Sequence, residues 1–215
     1  MNTLPSDWLR RLRSGVASVP NHDPATWQLG GRPLASFAAA RSAIALPANP
    51  RPAAVLVPII DRPAAPTLLL TTRAAHLRDH AGQISFPGGR IETRDDTVAA
   101  AAVREAQEEI GLEARLVEPI GFLPDQFVLT GFRITPVVAL VRADFTVQID
   151  TAEVAEVFEV PLAYISQGDH FQARTRVLMG VEVTLEELHF EGRIVWGATA
   201  GMLHVLRSIL EKTYE

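Results

Sequence analysis

The chain has 215 residues, 47% of them hydrophobic and 21% charged, which is enough apolar material for one sizeable core and leaves little room for two full domains. It contains no cysteine, so disulfides, thiol nucleophiles, iron–sulfur clusters and cysteine-ligated zinc are excluded, and any metal must be held by oxygen or imidazole. Twenty basic residues against 25 acidic ones leave a net charge of −5, which offers nucleic acid and anionic lipid no general attraction.

Residues 1–50 are rich in Pro, Ala and Arg. Short helical patterns at 6–13 and 33–42 are interrupted by Pro20, Pro24, Pro47 and Pro50, which predicts a leader packed on a main domain of residues 51–215. Arg10, Arg11 and Arg13 make the start basic, but no apolar h-region accompanies them, and the apolar runs at 52–60 and 134–141 are far shorter than the ~20 residues that span a bilayer. A cytoplasmic protein is expected. Strand-like runs at 53–60 and 67–72 flank a turn at Asp61-Arg62-Pro63, and a short strand at 83–86 ends on Pro87-Gly88-Gly89. Asp95 or Asp96 can then cap a helix over 98–110, ended by Gly111. Further strands are expected at 114–122, 132–141, 154–160 and 177–190, and a closing helix at 198–211. Strands outnumber helices without a regular βαβ rhythm, so the predicted fold is α/β of the α+β type, a mixed sheet between helices.

In the central helix Glu105, Glu108 and Glu109 stand at i, i+3 and i+4 and fall within about 100° of arc, while Ala99, Val103, Ala106 and Ile110 form a separate apolar face. Such an acidic stripe can simply be solvated. Here a Gly88-Gly89 turn precedes the helix, allowing close approach to a ligand, and Arg104 adjoins the first carboxylate. Hard carboxylate oxygens favour Mg²⁺ or Mn²⁺, ions that bridge substrate phosphates.

Gly89, Arg104-Glu105, Glu108-Glu109, Gly111 and Leu112 together resemble the Nudix box, the signature of hydrolases that cleave a nucleoside diphosphate linked to another moiety. Asp95 stands where the pattern has its early Glu, and the interval to Arg104 is one residue longer. Both departures, with the upstream Leu69-Leu70-Thr71-Thr72-Arg73 and the run from Leu77-Arg78-Asp79-His80 through Gly82-Gln83 to Phe86-Pro87-Gly88-Gly89, resemble the coenzyme A pyrophosphatase branch, except that Ala74 replaces a frequent Ser. The resemblance covers about residues 53–205.

The resemblance implies the Nudix fold and hydrolysis of the coenzyme A diphosphate to 3′,5′-ADP and 4′-phosphopantetheine or its acyl form. Glu105, Glu108 and Glu109 would be metal ligands for Mg²⁺ or Mn²⁺, Arg104 would orient them, and Arg73, Arg78, His80, Gln83, Gly88 and Gly89 would meet the substrate. The expected partner is a small-molecule nucleotide rather than nucleic acid or membrane, with a homodimer left open. ADP-ribose, dinucleoside polyphosphates or NAD-type dinucleotides are alternative substrates. A silent nucleotide-binding module is a third reading, although none of its expected carboxylate losses occurs. Glu153, Glu156 and Glu159 alternate along a strand and are each expected in solvent more readily than as a base. Trp196 is expected in the core, and Thr199 as a helix cap.

Overall fold

Residues 4–34, 48–77, 81–178 and 180–212 are described by the computed structural model. The expected helix at 33–42 lies largely outside them, as do Arg78 and His80; Arg32 and Pro33 themselves form a strand. The leader begins with helix α1 (Trp8–Gly15), whose Leu12 is fully buried. Two-residue strands β1 (Gln28–Leu29) and β2 (Arg32–Pro33) follow, joined through Gly30-Gly31, both at positive φ. Then come β3 (Arg51–Asp61), β4 (Thr67–Arg73), β5 (Ile84–Ser85), β6 (Gly88–Arg90) and helix α2 (Val98–Ile110). Strands β7 (Val117–Phe122), β8 (Gln126–Val128), β9 (Phe132–Arg142) and β10 (Val154–Pro161) lead to a single turn, α3 (Leu162–Ile165). The chain closes with β11 (Phe171–Leu178), β12 (Val181–Phe190), β13 (Arg193–Val195) and α4 (Gly197–Glu211).

The main sheet has the order β10-β4-β3-β9-β8-β1-β2, with β5 on β4, β6 on β3 and β7 on β9. It is mixed: β3 runs parallel to β9 over eleven registered pairs, and most other pairs are antiparallel. Strand alternation explains how β3 can be apolar almost throughout. Ala54, Leu56 and Ile60 face α2 through Ala101, Ala102, Ala106 and Ile110, while Val57 and Ile59 face α1, α4 and Leu188 of the second sheet. Each such Leu, Ile or Val side chain, taken from water, stabilises the fold by roughly 1.5–3 kcal/mol, and each alanine by less.

Four expectations change. The run expected as one strand at 177–190 is instead the β11–β12 hairpin, turning at Gly180, whose φ of 82° suits glycine. Residues 114–116 form a 3₁₀ turn before β7. The α2 cap is Thr97, whose hydroxyl accepts the Ala100 amide at 3.0 Å, because Asp95 is drawn to Arg104. The buried face of α2 is also rotated toward Ala101, Ala102 and Glu109.

Candidate active site

Strand β3 positions the site through its neighbours. Its first half pairs with β6, so Ala54 lies beside Gly89 and Val55 beside Gly88. Helix α2 crosses this face, and its alanines let it approach the sheet closely. Gly89 leaves the Glu105 carboxyl its place: a Cβ there would stand 2.6 Å from the Glu105 carboxyl atoms and displace them. The neighbouring Gly88 amide donates to Glu109 Oε2 at 3.2 Å. Glu105 and Glu109, one helical turn apart, thus meet the same glycine turn.

Glu109 is only 4% exposed, and its carboxyl is pushed up to about 8. Burial is the main cause, and the like charges of Glu153 and Glu105 add to it; the Gly88 amide and Arg73 oppose it. Arg73 Nη1 stands 4.0 Å from Glu109 Oε1, and Arg73 Nε is buried without a hydrogen-bond partner. Burial also raises Glu105, against the opposing pull of Arg104.

Arg104 organises the outer side. Its guanidinium donates to both Asp95 oxygens at 2.8 and 3.0 Å, to Glu105 and Glu108 at 2.9 Å each, and to the Arg90 carbonyl at 3.0 Å. Asp95 is held down to about 2, chiefly by Arg104. This carboxylate therefore anchors the arginine that the helix presents. Glu108 is half-exposed and shared between Arg104 and Arg94, and the Arg104 Nη1 that it meets also meets Glu105, so it flanks Glu105 on the solvent side.

The remaining expected residues are distributed as follows. The Gln83 carbonyl accepts the Arg73 amide at 2.9 Å, which holds the end of the β4–β5 hairpin. Glu156 pairs with Arg193, and Glu159 with Arg62 and Thr67. Glu153 precedes β10 and turns its charge on Glu105 and Glu109, while its carbonyl accepts the Ala74 amide at 2.8 Å. Sequence alternation sets Glu156 on the opposite face from Glu153 and Glu159 but gives no means of choosing between those two. Thr199 is not a cap: its hydroxyl donates to the Ile84 carbonyl at 3.1 Å, and Trp196 is the N-cap residue. Trp196 is 39% exposed with Arg176 across its ring, not in the core.

Among the described residues no group of three or more carboxylate or imidazole side chains is gathered closely enough to hold a metal ion. The donors that do converge fit a hard divalent cation. Glu105 and Glu109 offer only oxygen, they are desolvated, and they repel each other, so a bound cation would favour their ionised forms.

The sequence model of the NUDIX domain matches residues 50–179. The chain is 43% identical over 158 residues to Nudix hydrolase NudL of Salmonella paratyphi B, a relative itself described as uncharacterized, covering 74% of this chain and 82% of that one; NudL of Salmonella newport matches equally. Among solved structures, the Nudix hydrolase RenU of M. smegmatis aligns with a TM-score of 0.51 at 22% identity, over 77% of this chain and 89% of that one, a likeness of fold. With a mixed sheet between helices, a carboxylate helix laid against a glycine turn, and these matches together, the chain belongs to the Nudix family and is one of its hydrolases.

Proposed function

We propose that this Nudix hydrolase cleaves the diphosphate of coenzyme A and its derivatives, releasing 3′,5′-ADP and 4′-phosphopantetheine or its acyl form. The observation that carries the hydrolytic part is the placement of Glu105 and Glu109 on the Gly88-Gly89 turn with Arg104 behind them. The substrate is supported by the motif from Leu69 to Gly89, which resembles the coenzyme A pyrophosphatase branch.

Glu105 and Glu109 would hold Mg²⁺ or Mn²⁺, with Glu108 the most exposed member of the set. The bound ion would offset diphosphate charge and acidify a water. Arg104 keeps Glu105 oriented, and Asp95 keeps Arg104 in place. Arg73, with its buried Nε unspent, reaches toward diphosphate oxygens beside Glu109, and the small Gly88 and Gly89 let the substrate lie against backbone. In the reaction a water oxygen bonds to phosphorus, the bridging P–O bond breaks, and a carboxylate takes the water proton. Arg78, His80 and Gln83 are proposed to contact the remainder of the coenzyme. No described helix is long and apolar enough to cross a membrane. The reading goes with a cytoplasmic location, and sedimentation would distinguish a monomer from a homodimer.

The test is a substrate panel with purified protein and Mg²⁺ or Mn²⁺: coenzyme A, ADP-ribose, diadenosine polyphosphates and NAD. Coenzyme A should show the highest kcat/KM. Preferential cleavage of any of the others would overturn the assignment, and no turnover of any would overturn the catalytic reading of the site.

A further inference from the structure

The same end of the sheet carries a pair of arginines that the hydrolytic site does not use. Register places Arg90 of β6 beside Ala53 of β3, and Arg51 of β3 beside Phe132 of β9. Arg51 and Ala53 are two residues apart, so all of these side chains share one face of three adjacent strands. It is the face opposite the one on which Gly89 meets Glu105. Ala53 contributes only a methyl group between the arginines. Both guanidinium groups converge on the Phe132 ring, Arg51 at 3.9 Å from its centroid and Arg90 at 5.6 Å.

Neither arginine faces a carboxylate within ion-pair distance among the described residues, in a chain whose other arginines are largely paired. Arg51 is fixed by donating Nη2 to the Thr130 carbonyl at 2.7 Å, and the Arg90 backbone is fixed by Arg104. Two exposed like charges held against one ring repel each other, and an anion between them would remove that repulsion. Guanidinium forks match phosphate geometry in particular. Arg90 directly follows Gly89, so the arginine pair lies around the β6 edge from the carboxylates.

We propose that Arg51, Arg90 and Phe132 form a cradle for a phosphate monoester carried by the substrate in addition to its scissile diphosphate. This rests on the hydrolytic reading above and deepens it: on coenzyme A the group would be the ribose 3′-phosphate, which dephospho-coenzyme A lacks. Arg78 and His80, which the resemblance places on the substrate, are the other candidates for that phosphate, and the two assignments are separable by experiment.

Two measurements test it. In the first, calorimetry without metal compares adenosine 3′,5′-bisphosphate with AMP. The wild type should bind the bisphosphate at least about 10-fold more tightly, and Arg90→Ala and Arg51→Ala should each abolish most of that preference, with Arg90→Lys retaining part of it. In the second, the ratio of kcat/KM on coenzyme A to that on dephospho-coenzyme A should fall about 10- to 100-fold in both alanine variants, whose melting curves confirm folding. Equal binding of both nucleotides by the wild type, an equal loss on both substrates, or an unchanged ratio overturns the cradle. A wild type that prefers the bisphosphate yet leaves coenzyme A intact would overturn the substrate assignment while supporting the cradle.

Discussion

Replacing Gly89 by alanine separates the site's geometry from the fold's stability. The new Cβ would stand 2.6 Å from the Glu105 carboxyl carbon and from each of its oxygens, about 1 Å closer than ordinary contact. What it meets is the far end of a flexible side chain, so Glu105 can swing away at little cost. The φ angle of Gly89 is one that alanine also adopts, and the smaller entropy of the unfolded variant offsets part of the strain. Stability should therefore change by less than about 1 kcal/mol, a few degrees in Tm. Turnover should fall about 100-fold, because a misplacement of about 1 Å at a catalytic group has that order of effect. Gly88→Ala is the control: its Cβ would meet the Ala54 carbonyl oxygen at 2.4 Å and Val55 Cα at 2.6 Å, backbone atoms that cannot swing aside. That variant should lose about 2–3 kcal/mol and melt roughly 5–10 °C lower. The assay pairs thermal melting with metal-dependent hydrolysis of the preferred substrate. Gly89→Ala combined with Glu105→Ala should be no slower than Glu105→Ala alone, since both changes act on one contact. Wild-type turnover in a folded Gly89→Ala would refute the working position assigned to Glu105, and a destabilisation matching that of Gly88→Ala would refute the claim that the side chain yields.

Glu105→Gln and Glu109→Gln should each lower turnover at least ~10²-fold with melting curves intact, and Glu108→Gln, removing a carboxylate already shared by two arginines, should cost less; steady-state kinetics at saturating metal checks the order. Asp95 gives an acid limb to stability. Its folded carboxyl sits at about 2 against an ordinary 3.8, so its contribution is complete above pH ~4 and disappears as pH falls toward 2. The loss is at most about 2 kcal/mol, and urea titrations of Asp95→Asn should show a correspondingly flatter profile across that window. Gly201→Ala would put a methyl group 2.3 Å from the Gly31 backbone nitrogen, so limited proteolysis should cut the leader faster than in the wild type, with β3 to β10 unaffected. An unchanged cleavage pattern would mean that the leader is not held there.

What was legible in the sequence is what local pattern determines. Helix α2 follows from an alanine-rich stretch ended by Gly111, whose φ of 71° is the left-handed stop that glycine supplies, and the apolar runs of β3, β4 and β9 mark strands buried on both faces. The glycine turn and the carboxylates were equally local. Less was legible where several residues compete for one role. Asp95, Asp96 and Thr97 can all cap a helix, and only the distant Arg104 decides which does. Alternation sets Glu156 on one face and Glu153 and Glu159 on the other, but it could not tell which carboxylate turns toward the helix, because the partners Arg193 and Arg62 come from elsewhere in the chain. Strands β1 and β8 are two and three residues long and pair across about 98 positions, too short to leave a periodic signal. The arginines at positions 51 and 90 are unremarkable until register brings them to one ring.

The leader also imposes an order of events on synthesis. Arg11 donates to the Leu210 carbonyl, Gly31 touches Gly201, and Gln28 pairs with Gln126, so this segment has partners made 98 to 199 positions later. At about 5–20 residues per second, α1 waits roughly 10–40 s for the last turn of α4 to exist. During that interval its apolar side, with Trp8 and Leu12, lacks the part of its cover that α4 supplies, although Val57 and Ile59 of β3 already exist. Until then the segment around α1 lacks its partners in α4 and is open to chaperones and proteases there, and its final docking follows the synthesis of α4.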